Sequence, residues 1–141
     1  MLREKLRNYI LRLGAKIERY PNQIVGTLGN KRVEVKHKDG IVETTIVGVL
    51  GAPIRGVIKP TSDGYIAQTL YLGPIPLGTI KYRIPYNSFL ETIECILDTT
   101  LDLMLLAGEL TVFVPFFVLV IALAIVALAP IIAFLICTME G

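Results

Sequence analysis

Tryptophan is absent, histidine occurs once, and the 141 residues hold only two cysteines. A lone His37 offers no metal-ligand spacing, and no His/Cys cluster accompanies it. Cys95 and Cys137 make no disulfide framework. Because Cys137 falls inside an apolar run, a bridge to Cys95 is not expected. Charge is also scarce, at 18% of residues, against about a quarter in soluble domains. No Lys or Arg follows Arg83, and no charged residue, Asn, Gln or His stands between Thr111 and Met139. These absences exclude a disordered chain, a disulfide-stapled mini-protein and a simple water-soluble globule. No apolar h-region follows the basic residues at the start, so a secretory signal is not read there.

What is present is unevenly spread. Residues 1–86 carry fourteen basic and six acidic side chains, a net of +8, and residues 87–141 carry six acidic ones alone. The front half suits phosphates, anionic headgroups or an acidic partner. The back half is a candidate for that partner, in the same chain or a neighbour.

Four segments follow from periodicity. Over residues 1–21, Leu2, Leu6, Tyr9, Ile10, Leu13, Ile17 and Tyr20 fall within an arc of about 100° on a helical wheel. The spacing predicts one basic amphipathic helix ended by Pro21-Asn22. Residues 22–86 alternate short β-rich runs with Gly and Pro. Strands are predicted near 31–37, 41–49, 54–59, 65–72 and 77–84, with 23–28 as a sixth. Asp39-Gly40 between β-branched runs is a strong hairpin signal. Short strands at this density suggest a small antiparallel barrel or sandwich. Its expected core is Val33, Val35, Ile46, Val49, Ile58, Ile66, Leu70, Leu72 and Ile80.

Residues 87–109 return to helical period. Asn87 or Ser88, with Glu91 behind, reads as a capping box. Glu91, Glu94, Asp98 and Asp102 share one face, while Phe89, Leu90, Ile93, Ile96, Leu97, Leu101 and Met104 form the other. Residues 110–139 read as a transmembrane helix. The run from Thr111 to Met139 would span about 43 Å as a helix, more than the ~30 Å hydrocarbon core. Pro115 and Pro130 each permit a kink where neighbours satisfy the freed carbonyls. Ala129, Ala133 and Cys137, four residues apart, offer a small-residue stripe for helix packing.

Candidate chemistry is sparse. The acidic stripe is a cation, proton or partner contact, or a solvated face. It also has a possible mate in the basic flank of the first helix. Lys5, Arg12, Lys16, Arg19, Lys31, Arg32, Lys36 and Lys38 form a basic surface for headgroups or nucleic acid. His37 reads as an exposed turn residue. No nucleophile, acid–base pair or phosphate-binding glycine motif appears, so no enzyme activity, catalytic residue, metal or cofactor is expected.

After a helix, the stretch NKRVEVKHKDGIVETTIVGV is similar to the opening of Sm-like proteins. The resemblance covers residues 30–49 and rests on Asp39-Gly40 and Gly48. The family's later Arg-Gly pair is not in position, since Arg55-Gly56 comes too early. The resemblance implies a small barrel and carries over no RNA-binding residue.

The expected object is an α+β membrane protein. It has a basic amphipathic helix, a small β domain, an acidic amphipathic helix and one C-terminal transmembrane helix. Its expected role is a tail-anchored structural or assembly subunit of a membrane complex or membrane-containing virion. Its partners would be lipid and other subunits or itself, with the β domain cytosolic or inside the particle. A membrane-tethered nucleic-acid binder is the alternative, and an ion- or proton-conducting oligomer the third. A variant packing has residues 88–107 and 111–139 as a helical hairpin with its turn at Gly108-Glu109, which would require partners to shield the acidic stripe.

Overall fold

The computed structural model describes residues 2–49, 51–110 and 118–140. In chain order these form α1 (Leu2–Arg12), β1 (Lys16–Tyr20), β2 (Gln23–Leu28), β3 (Lys31–Lys38) and β4 (Ile41–Val47). They continue with β5 (Ile54–Pro60), β6 (Tyr65–Leu72), β7 (Ile75–Pro85), α2 (Tyr86–Glu91), α3 (Ile93–Leu110) and α4 (Val118–Glu140). The seven strands make one antiparallel sheet in sequence order, each paired with the next.

The sheet is open, with β1 and β7 as its edges, so the expected barrel or sandwich does not form. One face is covered by helices instead of by a second sheet. α3 packs on β2 and β3, and α4 packs on β4, β5 and β6. Alternation along each strand supplies the covered face: Val33, Val35, Val42, Ile46, Ile54, Ile58 and Ile66 are all buried. Fully burying such a side chain contributes roughly 1.5–3 kcal/mol. Ile96, Leu101, Met104 and Leu105 of α3 and Ala122, Val126 and Ala133 of α4 complete the same core. Val49, Leu70 and Leu72 only border it. Ile80 lies exposed on the edge strand β7, contrary to the expected core.

The first helix is shorter than its pattern suggests. α1 stops at Arg12, and residues 16–20 are strand β1. Gly14 takes φ +104, a conformation that costs a side chain-bearing residue energy. The amides of Ala15 and Gly14 then donate to the carbonyls of Ile10 and Leu11, each at 3.0 Å. This is a Schellman ending with its apolar contact, Ala15 on Ile10, buried. The chain leaves it extended, and Lys16–Tyr20 pairs with Gln23–Thr27.

The Asp39-Gly40 hairpin forms as expected. Both residues have positive φ, 55° and 78°, as a type I′ turn requires. Tyr86 at the start of α2 donates its hydroxyl to Gly40 O at 3.0 Å, tying the helix to that turn. The expected capping box does not form. Pro85 is the N-cap of α2, without a side-chain capping bond. Thr92, at φ −111 and ψ 19, then separates α2 from α3.

Candidate functional site: the two-helix layer

α3 and α4 pack against each other; α3 continues through Gly108 and Glu109 to Leu110, so the turn expected there does not form. The small-residue stripe of α4 and the C-terminal half of the acidic stripe of α3 each have a specific mate. On α3, the Arg19 guanidinium from β1 stands 2.8 Å from Asp98. Arg7 from α1 donates its Nε–H to both Asp102 oxygens, at 2.8 and 3.0 Å. Half of the acidic stripe is therefore the contact for the basic first segment of the same chain. Glu91 and Glu94 remain exposed. Asp102 is only 4% exposed. Burial pushes its carboxyl up to about 6, although Arg7 opposes the shift. The Asp98 hydrogen bond raises the Arg19 pKa further.

On α4, Ala129, Ala133 and Cys137 are buried in the shared core. The mate of this stripe is α3. Cys137 forms a disulfide with Cys95, bridging 42 residues of sequence. That bond corrects the expectation that the two cysteines stay apart. Thr99 Oγ1 stands 3.6 Å from the Cys137 sulfur.

Pro130 sits inside α4. It has no N–H, so the carbonyl of Val126, four residues back, loses its helical donor. Gln68 Nε2 from β6 donates to Val126 O at 2.9 Å. The Tyr82 hydroxyl from β7 donates to the neighbouring Ala127 O at 3.0 Å. Gln68 is fully buried, so the pairing also satisfies its amide. The neighbours that the sequence argument required for Pro130 are thus side chains of the sheet. Pro115 and residues 111–117 lie outside the described residues.

The outward side of α4 is different. Val120, Leu128, Ile132, Leu135 and Met139 are exposed, from 41% to 85%. Leu103 and Ala107 of α3 join Ile121, Ile125, Leu128 and Ile132 around an apolar groove of about 270 Å³. Among the described residues, α4 is the one helix long and apolar enough to cross a membrane. The most apolar 18-residue window within Val120–Glu140 has a mean hydropathy of 3.1.

The basic candidates scatter. Lys5, Arg12, Lys16, Lys36 and Lys38 are exposed. Arg19 is committed to Asp98, and Arg32 pairs with Glu34 at 2.9 Å. Lys31 leaves this surface, being 5% exposed. It lies on the covered face of β3, its stem beside Gly108 near the end of α3. It brings positive charge near a helix C-terminus that has no basic residue of its own. Its ammonium donates to Asn30 Oδ1 at 3.1 Å.

The sheet's uncovered face is charged. Arg55 of β5 pairs with Glu43 of β4 at 3.1 Å and stacks 4.6 Å over Tyr71. His37 is half-buried rather than exposed. It lines a cleft of about 340 Å³ with Arg19, Asn22, Glu94 and Asp98. A second polar cleft, about 590 Å³, lies between α1, α3 and the end of α4, around Arg3, Glu4, Arg7, Asp102 and Glu140. Among the described residues, no group of three or more His, Cys, Asp or Glu is placed to hold a metal ion.

No family model, curated protein or solved structure matches this chain.

Proposed function

We propose that this protein is a structural or assembly subunit of a membrane complex or membrane-containing particle, with α4 as its anchoring element. The observation that carries this reading is the outward side of α4. Five large apolar residues stand exposed there on a helix whose most apolar 18-residue window has a mean hydropathy of 3.1. A contiguous exposed apolar surface marks a site of membrane or protein contact. The reading assigns the chain no catalysis.

The disulfide adds a condition. Disulfides persist where thiols are not kept reduced, which favours an oxidising compartment over ordinary cytosol for this layer. The nucleic-acid alternative loses support from the placement of its residues. Lys31 is buried, and Arg19 and Arg32 are neutralised within the chain.

The test is membrane extraction. The protein should resist an alkaline wash, require detergent for release, and then run as a discrete oligomer or hetero-complex by intact mass. Release by the wash as a free monomer would defeat the proposal.

A further inference from the structure

We infer that the docked fold lies flat on a lipid bilayer. The outward side of α4 enters the acyl chains, the charged face of the sheet stays in water, and residues 2 and 140 remain on one side. This inference rests on the membrane reading above and specifies its geometry.

The first argument is polar satisfaction. A helix face in hydrocarbon tolerates no open backbone group. Pro130 opens one in α4, and it is turned inward and closed by Gln68, with Tyr82 on the next carbonyl. The outward residues Val120, Leu128, Ile132 and Leu135 are all aliphatic. Protein interfaces ordinarily carry a polar rim with hydrogen bonds. The α3–α4 groove is lined by aliphatic residues and alanines and offers none.

The second argument is the cost of the other orientation. α4 is docked along β4, β5 and β6. Set along the bilayer normal, its 23 residues would occupy about 34 Å, the full hydrocarbon depth. The sheet would be carried in with it, taking Glu43 and Arg55 into lipid. Charged side chains at that depth are heavily penalised. Lying flat exposes none of them to lipid.

The third argument is the ends. The Leu2 amide donates to Glu140 Oε1 at 2.7 Å, and Cys137 is bonded to Cys95. A spanning α4 would part Leu2 from Glu140 by a bilayer. The exposed Arg3, Lys5 and Arg12 of α1, which packs on α3, add attraction for anionic headgroups.

The experiment uses the full oxidised chain with a protease-cleavable tag at each end. It is reconstituted from detergent into phosphatidylcholine vesicles, with or without phosphatidylglycerol. Flotation is measured first, then external protease is added. The expected result is flotation, stronger with phosphatidylglycerol, and molecules that lose both tags or neither. Flotation with fragments that lose one tag only would overturn the flat geometry and leave the membrane reading standing. Failure to float, with the chain dimeric or bound to a partner, would overturn both. Leu128→Glu should cut vesicle partitioning at least about tenfold while leaving thermal unfolding in solution unchanged, since Leu128 is exposed. Unchanged partitioning would overturn the inference.

Discussion

α3 and α4 lie over the same sheet, and each is seated above a glycine. Leu101 and Leu105 of α3 stand over Gly26 in β2, and Val126 of α4 stands over Gly56 in β5. Their remaining chemistry differs. α3 carries carboxylates and is held by arginines from α1 and β1. α4 carries no charge before Glu140, and the sheet holds it through the one place where its backbone is open, the carbonyls around Pro130. In both cases a polar group inside a low-dielectric layer is retained because a partner from elsewhere in the chain meets it. α3 uses its partners to neutralise charge. α4 uses them to turn its polar atoms inward, leaving an outward surface of hydrocarbon.

The largest break in this comparison should come from the bond that joins the helices. Replacing Cys95 and Cys137 together by Ala removes a cross-link over 42 residues, worth roughly 4 kcal/mol by loop-closure entropy. Urea unfolding would show the loss. Hydrogen exchange would show where it falls. α4 should lose protection first, because α3 keeps its two arginine contacts. Equal loss in both helices would mean that they open as one unit.

Next comes the Pro130 lock. Gln68→Leu leaves the Val126 carbonyl buried and unpaired, a cost of about 2–3 kcal/mol. Pro130→Ala in the same chain restores an N–H for that carbonyl and should recover most of the loss. If the double variant is no more stable than Gln68→Leu alone, the amide matters for packing and not for the proline. Chemical denaturation of the two single variants and the double variant decides this.

The glycine seats separate the helices more finely. A Cβ at Gly56 would lie 2.3 Å from Gln68 Nε2 and 2.8 Å from Val126 Cγ1. The first of these atoms is held by its hydrogen bond to the Val126 carbonyl. A Cβ at Gly26 would meet Leu105 Cδ1 at 2.7 Å and Leu101 Cδ1 at 3.2 Å, the far ends of flexible side chains. Gly56→Ala should therefore cost about 2–3 kcal/mol and Gly26→Ala about 1 kcal/mol. Equal thermal shifts would mean that α4 slides as readily as α3.

Local chemistry was legible in this sequence, and long-range chemistry was not. Strands β2 to β7 follow from β-branched alternation and from turn residues such as Asp39-Gly40. β1 was hidden, because Ile17 and Tyr20 keep the helical period of Leu2 to Leu13, and only Gly14 marks the stop. Whether the sheet closes depends on β1 meeting β7, a non-local event no short window reports. The apolar run itself argued against the disulfide. A helix read as leaving the domain was not expected to return Cys137 to Cys95. Gln68 and Tyr82 were missed for the same reason. Pro130 announced a carbonyl in need of a donor, but nothing near it in sequence named one. The acidic stripe was found, and its pairing with the basic first segment was one of the options left open.

The finest test is Asp102. Its carboxyl is pushed up to about 6 from an ordinary 3.8, with burial outweighing the pull of Arg7. The folded protein therefore holds this proton more tightly than the unfolded chain does, and stability gains from protonation. The sign follows directly: the contribution is largest below about pH 4 and is lost as pH rises through about 6. Asp98 adds to the upward shift, while Arg19 and Arg7 reduce it. Asp102→Asn keeps the shape and removes the titration. At pH 7 it should change stability by less than about 1 kcal/mol, since a desolvation penalty and a charge-assisted hydrogen bond vanish together. The slope of the melting temperature between pH 4 and 6 should become more positive in the variant than in the wild type. An unchanged slope would show that Arg7 holds Asp102 ionised throughout, and that α3, unlike α4, tolerates a permanent charge inside the layer.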